Sequence, residues 1–106
     1  MISKDEARKI VINQLEFIQN NNFNLKDDEL VIIDEATIEK DFGWVFFYQS
    51  KNYLETNNFS YQLLGNAPYI VNRFDGSFEI TGTTYEIEYY LNEYEKRLKR
   101  QNVLEG

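Results

Sequence analysis

Apolar residues recur through the first stretch of the chain at helical spacing. Ala7, Ile10, Val11, Leu15, Phe17 and Ile18 fall in one broad arc at about 3.6 residues per turn, with Ile12 outside it. The spacing predicts a helix from about Lys4 to Asn20. Ser3 and Glu6 have the capping-box separation, in which the hydroxyl accepts from the third helical N–H and the carboxylate returns to the Ser N–H. Asp5 and Glu6 suit the positive end of the helix dipole. The run Asn20-Asn21-Asn22 competes for its own backbone groups and predicts the stop. A polar connection follows to Glu29, with Phe23 and Leu25 as anchors.

The period then changes from helical to two. Leu30-Val31-Ile32-Ile33, with alternation continuing through Asp34, Ala36 and Ile38, reads as a first strand. Lys40 to Gly43 offers a turn, and Gly43 to Ser50 reads as a second strand dense in aromatic and β-branched residues. Both of its faces are apolar, which places it centrally in a sheet covered by helices on at least one side. Lys51 to Ala67 mixes loop-forming Asn and Ser with Tyr53, Leu54, Phe59, Tyr61, Leu63 and Leu64, and is expected to be a long loop that packs onto the body. Pro68 suits the first position of a strand over Tyr69–Asn72. Asp75-Gly76 marks a hairpin into a fourth strand, Ser77 to Thr81.

A closing helix is expected from about Thr84 to Gln101, started by a second capping-box spacing at Thr83 and Glu86. Ile87, Tyr90, Leu91, Tyr94 and Leu98 form its apolar stripe, and Lys96, Arg97, Lys99 and Arg100 suit its negative end. The order α-β-β-β-β-α gives an α+β fold: a four-stranded antiparallel sheet with an N-terminal and a C-terminal helix, both expected on one face. A length of 106 residues fits one domain over 1–106.

Composition narrows the chemistry. There is no Cys and no His, which removes disulfides, thiol nucleophiles, Ser-His-Asp hydrolysis and the common zinc triads. Eighteen acidic residues against 11 basic give a formal net charge of −7, which argues against a nucleic-acid partner. No apolar run approaches the roughly 18–20 residues of a membrane span. The polar, acidic start is unlike a signal peptide, so a cytoplasmic location is the default. The five glycines form no phosphate-binding loop.

Carboxylates are then the only plentiful acid/base groups. Glu35, Glu39 and Asp41 surround the first turn, and Glu86, Glu88, Glu93 and Glu95 line the last helix. A glycosidase pair needs two of them held across a cleft, and spacing gives no sign of it, so a solvated acidic surface is the simpler reading. Asn24, Asp27, Asp28 and Glu29 are the best cation candidates, but their spacing does not match a calcium loop. No metal and no cofactor are expected. Trp44 is expected in the core of the central strand, with an interface anchor as the alternative. Tyr85 and Tyr89, four residues apart and opposite the apolar stripe, would form with Glu86 and Glu93 an amphipathic contact patch, or else cover the sheet edge or the 51–64 loop.

Several segments taken in order resemble the immunity protein 35 family, also called the YrhB-like domain. They are Asp41-Phe42-Gly43-Trp44-Val45-Phe46-Phe47-Tyr48-Gln49-Ser50, Gly65-Asn66-Ala67-Pro68, the Asp75-Gly76 hairpin and Thr81-Gly82-Thr83. The resemblance implies an α+β domain of bacterial polymorphic toxin systems that neutralises a cognate toxin by binding it, without catalysis. Its motif residues here are Asp41, Gly43, Trp44, Gly65, Asn66, Pro68 and Gly76, read as structural, with toxin contact by Trp44, the signature Trp, left open by the resemblance. The negative surface would steer encounter with a basic toxin, and the chain would be a monomer or a weak dimer. A holdase-like chaperone or adaptor is the rival reading, and a carbohydrate-binding module or carboxylate-based enzyme a weaker one.

Overall fold

In a computed structural model, which describes residues 1–21, 27–63 and 66–105, helix α1 spans Lys4–Asn20. Its capping box forms: the Glu6 amide donates to Ser3 Oγ at 3.1 Å, and the Ser3 amide to Glu6 Oε1 at 3.2 Å. The helix buries Ala7, Val11 and Leu15. At its far end Gln19 makes a two-point clamp, donating to the Asp28 carbonyl at 2.5 Å and accepting from the Leu30 amide at 3.1 Å. The expected anchors Phe23 and Leu25 lie outside the described residues.

The strand expected over Leu30 to Ile38 is two strands, β1 (Leu30–Ile32) and β2 (Ile38–Lys40), separated by a 3-10 turn at Asp34–Ala36. The opposing strand is likewise split at Phe47 into β3 (Gly43–Phe46) and β4 (Tyr48–Ser50). β1 pairs antiparallel with β4, and β2 with β3. The Ile33 amide donates to the Phe47 carbonyl at 2.8 Å, so the two pairings are one bent ribbon. Its register shifts by three residues, the length of the inserted turn. Alternation alone does not reveal the insertion. Arg8 holds it from α1, its Nε and Nη2 donating to the two Asp34 oxygens at 2.8 and 3.0 Å. That guanidinium, against a smaller opposing effect of burial, holds the Asp34 carboxyl below the usual carboxylate range.

The larger sheet has the order β2-β3-β5-β6, all antiparallel, with β5 at Tyr69–Asn72 and β6 at Phe78–Ile80. Helix α3 spans Ile87–Glu105. The two long helices do not share a face. Trp44, Phe46, Tyr69 and Val71 pack with Ala7, Val11 and Leu15 of α1. Val45 and Ile70, alternating with them, pack with Phe42 and with Leu91 and Tyr94 of α3. β3 and β5 are apolar on both faces, and one helix covers each. Each large side chain sealed this way contributes about 1.5–3 kcal/mol of transfer free energy.

The 51–67 segment is more regular than expected. Helix α2 spans Lys51–Thr56, capped by Ser50 Oγ, which accepts from the Tyr53 amide at 3.1 Å. Asn57, at φ +56°, ends it, and a 3-10 turn follows at Phe59–Tyr61. Asp28 braces this junction. Its carboxylate accepts from the Ser50 hydroxyl, from the Asn52 amide at 3.1 Å and from the Glu29 amide at 2.7 Å. Burial pushes that carboxyl upward, yet these bonds together outweigh it and hold the group below its ordinary value.

Candidate protein-binding surface

The β5–β6 hairpin and the start of α3 carry the exposed side chains Phe74, Phe78, Ile80, Tyr85 and Tyr89. Asn72, buried at the end of β5, organises the hairpin. Its Oδ1 accepts from the Phe74 and Asp75 amides at 2.8 and 3.3 Å, and its Nδ2 donates to the Tyr94 hydroxyl of α3 at 3.1 Å. Asp75 Oδ1 accepts from the Ser77 hydroxyl and amide at 2.7 and 2.9 Å, which lowers its pKa. Gly76 takes φ +72°, as the turn residue expected there.

Beyond β6 the chain does not enter the helix at Thr84. The Thr84 and Tyr85 amides both donate to the Tyr90 hydroxyl, at 3.0 and 3.1 Å, and α3 starts at Ile87. The Tyr90 phenol takes these donors where the Thr83–Glu86 spacing predicted a cap. Gly82 makes room for it, since a Cβ there would lie 2.5 Å from the Tyr90 hydroxyl oxygen. Tyr90 is thus a structural cap rather than only a member of the apolar stripe. No motif in the sequence signals that role.

Tyr85 therefore precedes the helix, yet its ring meets that of Tyr89 at a tilt of 40°. Their ring centroids are 4.3 Å apart, and Tyr90 sits edge-on to Tyr89 at 5.3 Å. Tyr85 is 59% and Tyr89 46% exposed. Glu86 is exposed beside them, and Glu93, half-buried one turn on, accepts from Lys96 at 3.4 Å. The four residues singled out from sequence thus lie on or just before the first turns of α3. The two tyrosines form a tilted pair, each about half exposed or more.

The remaining motif residues frame the sheet. Trp44 is 4% exposed, on the α1 face, and the Arg73 guanidinium lies over its ring at 4.8 Å. Arg73 also donates to the Lys40 carbonyl at 2.8 Å and to Glu39 at 3.2 Å, tying the first turn to the hairpin. Gly43 has φ +149°, and a Cβ on it would overlap the Val71 carbonyl. Asn66 donates to the Tyr48 carbonyl at 2.6 Å, and the Pro68 carbonyl accepts from Thr81. Gly65 lies outside the described residues. Asp41 lines a shallow cleft of about 480 Å³ with Phe42, Phe74, Glu95, Leu98 and Lys99. Asn24 is also outside the described residues, and the Asp28 carboxylate of the suggested cation loop is spent on the β4–α2 junction. Among the described residues no three acids converge as metal ligands would.

A sheet sealed by a helix on each face, with two strands apolar on both sides, defines a small α+β protein. The chain belongs to the immunity protein 35 family, whose model matches residues 5–95. It is also 32% identical over 74 residues to the uncharacterized protein YrhB of Escherichia coli (strain K12), across 70% of this chain and 79% of that protein. No solved structure matches it. No helix among the described residues is long and apolar enough to cross a membrane.

Proposed function

We propose that this chain is a non-enzymatic immunity protein that binds and neutralises a cognate toxin in the cytoplasm of the producing cell. Family membership supports the class, and the observation that carries the binding mode is the exposed Tyr85–Tyr89 pair, rings 4.3 Å apart, with its acidic surround. Tyrosines bring large contact area at little entropic cost, and rings already in contact have less freedom to lose when a partner arrives. The net charge of −7 speeds encounter with a basic toxin and penalises acidic proteins. A one-to-one complex of standard size takes about 800 Å² from each partner.

The test uses the toxin domain encoded by the neighbouring reading frame. Tyr89→Ala and Glu93→Lys are expected to weaken its binding about tenfold or more, with unchanged thermal unfolding. The Glu93–Lys96 pair is solvent-exposed and adds little to stability, so its loss does not confound the measurement. Wild-type affinity in both variants would move the contact face elsewhere. The exposed apolar side chains Phe17, Phe59 and Phe74 favour a second reading, a holdase-like chaperone. A broad range of clients in a pull-down, in place of one stoichiometric partner, would select it.

A further inference from the structure

Strand β6 is an open edge of the larger sheet. Its pairing with β5 fixes which way each backbone group points. The Asn72 amide donates to the Ser77 carbonyl at 2.8 Å, and the Thr81 amide to the Pro68 carbonyl at 3.0 Å. Hydrogen-bonded pairs alternate along an antiparallel ladder, so 72–77, 70–79 and 68–81 are bonded. Phe78 and Ile80, opposite Val71 and Tyr69, fall between them. Their N–H and C=O groups therefore point away from β5, and no described residue pairs with them.

The side chains of these two residues are also uncovered. They share the α1 face with Tyr69 and Val71, but α1 seals only the middle of that face. Phe78 is 40% and Ile80 53% exposed, with Phe78 leaning on Tyr69 at 5.8 Å between rings. Edge strands are usually guarded by Lys, Pro, a bulge or a covering loop. The opposite edge fits that pattern: β2 carries Glu39 and Lys40 and is set off by the 3-10 turn. In β6 the one charge, Glu79, faces the other way and is held by Arg97 at 2.5 and 2.7 Å.

We propose that β6 is a docking edge for an extended segment of the basic toxin, which adds as a fifth strand beside Phe78–Ile80. This rests on the immunity reading above and specifies its mode of recognition. Outward N–H and C=O groups with alternating apolar side chains match an extended backbone. The charge selects the occupant. A second copy would bring another −7 to an edge that runs into Glu86 and Glu88, whereas a basic strand is attracted there. The edge leads within five residues of sequence to Tyr85.

The test is Ile80→Pro, read with amide hydrogen exchange of the complex with the neighbouring toxin domain. Proline removes the outward N–H of residue 80 while leaving the bonds to β5, which is where edge strands tolerate it. Far-UV circular dichroism and thermal unfolding verify the fold; if Ile80→Pro unfolds the chain, Phe78→Lys takes its place. Toxin affinity is expected to fall about tenfold or more, because the partner's carbonyl loses its donor. The amides of Phe78 and Ile80 should exchange fast in the free chain and slowly in the complex. Wild-type affinity in Ile80→Pro, with the Phe78 and Ile80 amides of the wild-type chain unprotected in its complex, overturns the edge but leaves the immunity reading standing. A concentration-dependent dimer in sedimentation that Ile80→Pro abolishes gives the edge to a second copy and overturns the proposal. No binding of the toxin by the wild type overturns both.

Discussion

Replacing Gly43 by alanine should be among the most damaging single changes in the chain. Gly43 opens β3 and faces Asn72 of β5, at φ +149°. An added Cβ would overlap the Val71 carbonyl and come to 2.9 Å from the Arg73 amide. Both are backbone atoms, so no side chain can swing aside. Either the residue changes φ or β3 and β5 separate at this end. A backbone held in so sparse a region costs a side-chain-bearing residue about 1–3 kcal/mol. Separation sacrifices the bond from the Arg73 amide to the Phe42 carbonyl, 2.8 Å in the native sheet, worth about 1 kcal/mol. It also disturbs packing on both faces at once, since Trp44–Val71 lies under α1 and Val45–Ile70 under α3. Together a loss of about 3–5 kcal/mol is expected, a large part of the roughly 5–15 kcal/mol typical of a folded domain.

Urea unfolding followed by circular dichroism measures this directly. The midpoint should fall with little change in slope, so that stability and not the extent of unfolding has changed. Trp44 is the chain's single tryptophan, so its fluorescence reports the same transition from inside the sheet. A loss below about 1 kcal/mol would refute the reasoning, because it would mean the β3–β5 contact yields without cost.

Other expectations follow from the same contacts. Asp28→Asn should cost about 1–2 kcal/mol near neutral pH by weakening the bonds at the β4–α2 junction. The folded carboxyl titrates below its ordinary value, so its contribution is full above the unfolded value near 4 and fades as pH falls through the folded one. Stability of Asp28→Asn should therefore change less than wild type on acidification below about pH 4, and parallel curves would refute the assignment. Arg73→Ala should cost about 1–2 kcal/mol and shift Trp44 emission to the red, as the guanidinium leaves its ring and water enters; unchanged emission would show that other atoms shield the indole. Raising salt from about 50 to 500 mM should slow toxin association while leaving dissociation nearly unchanged, whereas Ile80→Pro should speed dissociation. A salt-independent association rate would remove charge from the recognition argument.

Much of the fold is legible in the sequence because local chemistry and tertiary packing agree there. α1 has its periodicity, its cap and its stop in sequence, and the hairpin has Asp75-Gly76. The discrepancies occur where a distant residue decides. Alternation from Leu30 to Ile38 reads as one strand because nothing local shows that Arg8, 26 residues from Asp34, holds a turn in its middle. The late start of α3 follows from the Tyr90 phenol, which takes the amides six and five residues before it. The capping of α2 depends on Asp28, far from it in sequence. Of the surface, Tyr85 and Tyr89 were legible as amphipathic spacing. The β6 edge was not, since edge and centre differ only in who pairs with them.

The larger sheet has two faces and two edges to offer a partner, and of these the β6 edge combines outward backbone groups with the exposed side chains of Phe78 and Ile80. α1 closes one face over Trp44 and Val71, and α3 the other over Val45 and Ile70. The β2 edge is broken by the 3-10 turn and carries charge. On the docking proposed above, recognition falls to β6 and the segment that leaves it. The register of α3 matters for the same reason. Had the helix begun at Thr84, Tyr85 would be fixed in its first turn; because Tyr90 captures the Thr84 and Tyr85 amides, residues 81–86 run irregularly from the strand end to the helix. The Tyr85 ring then meets Tyr89 from outside the helix, with 4.3 Å between centroids and a tilt of 40°.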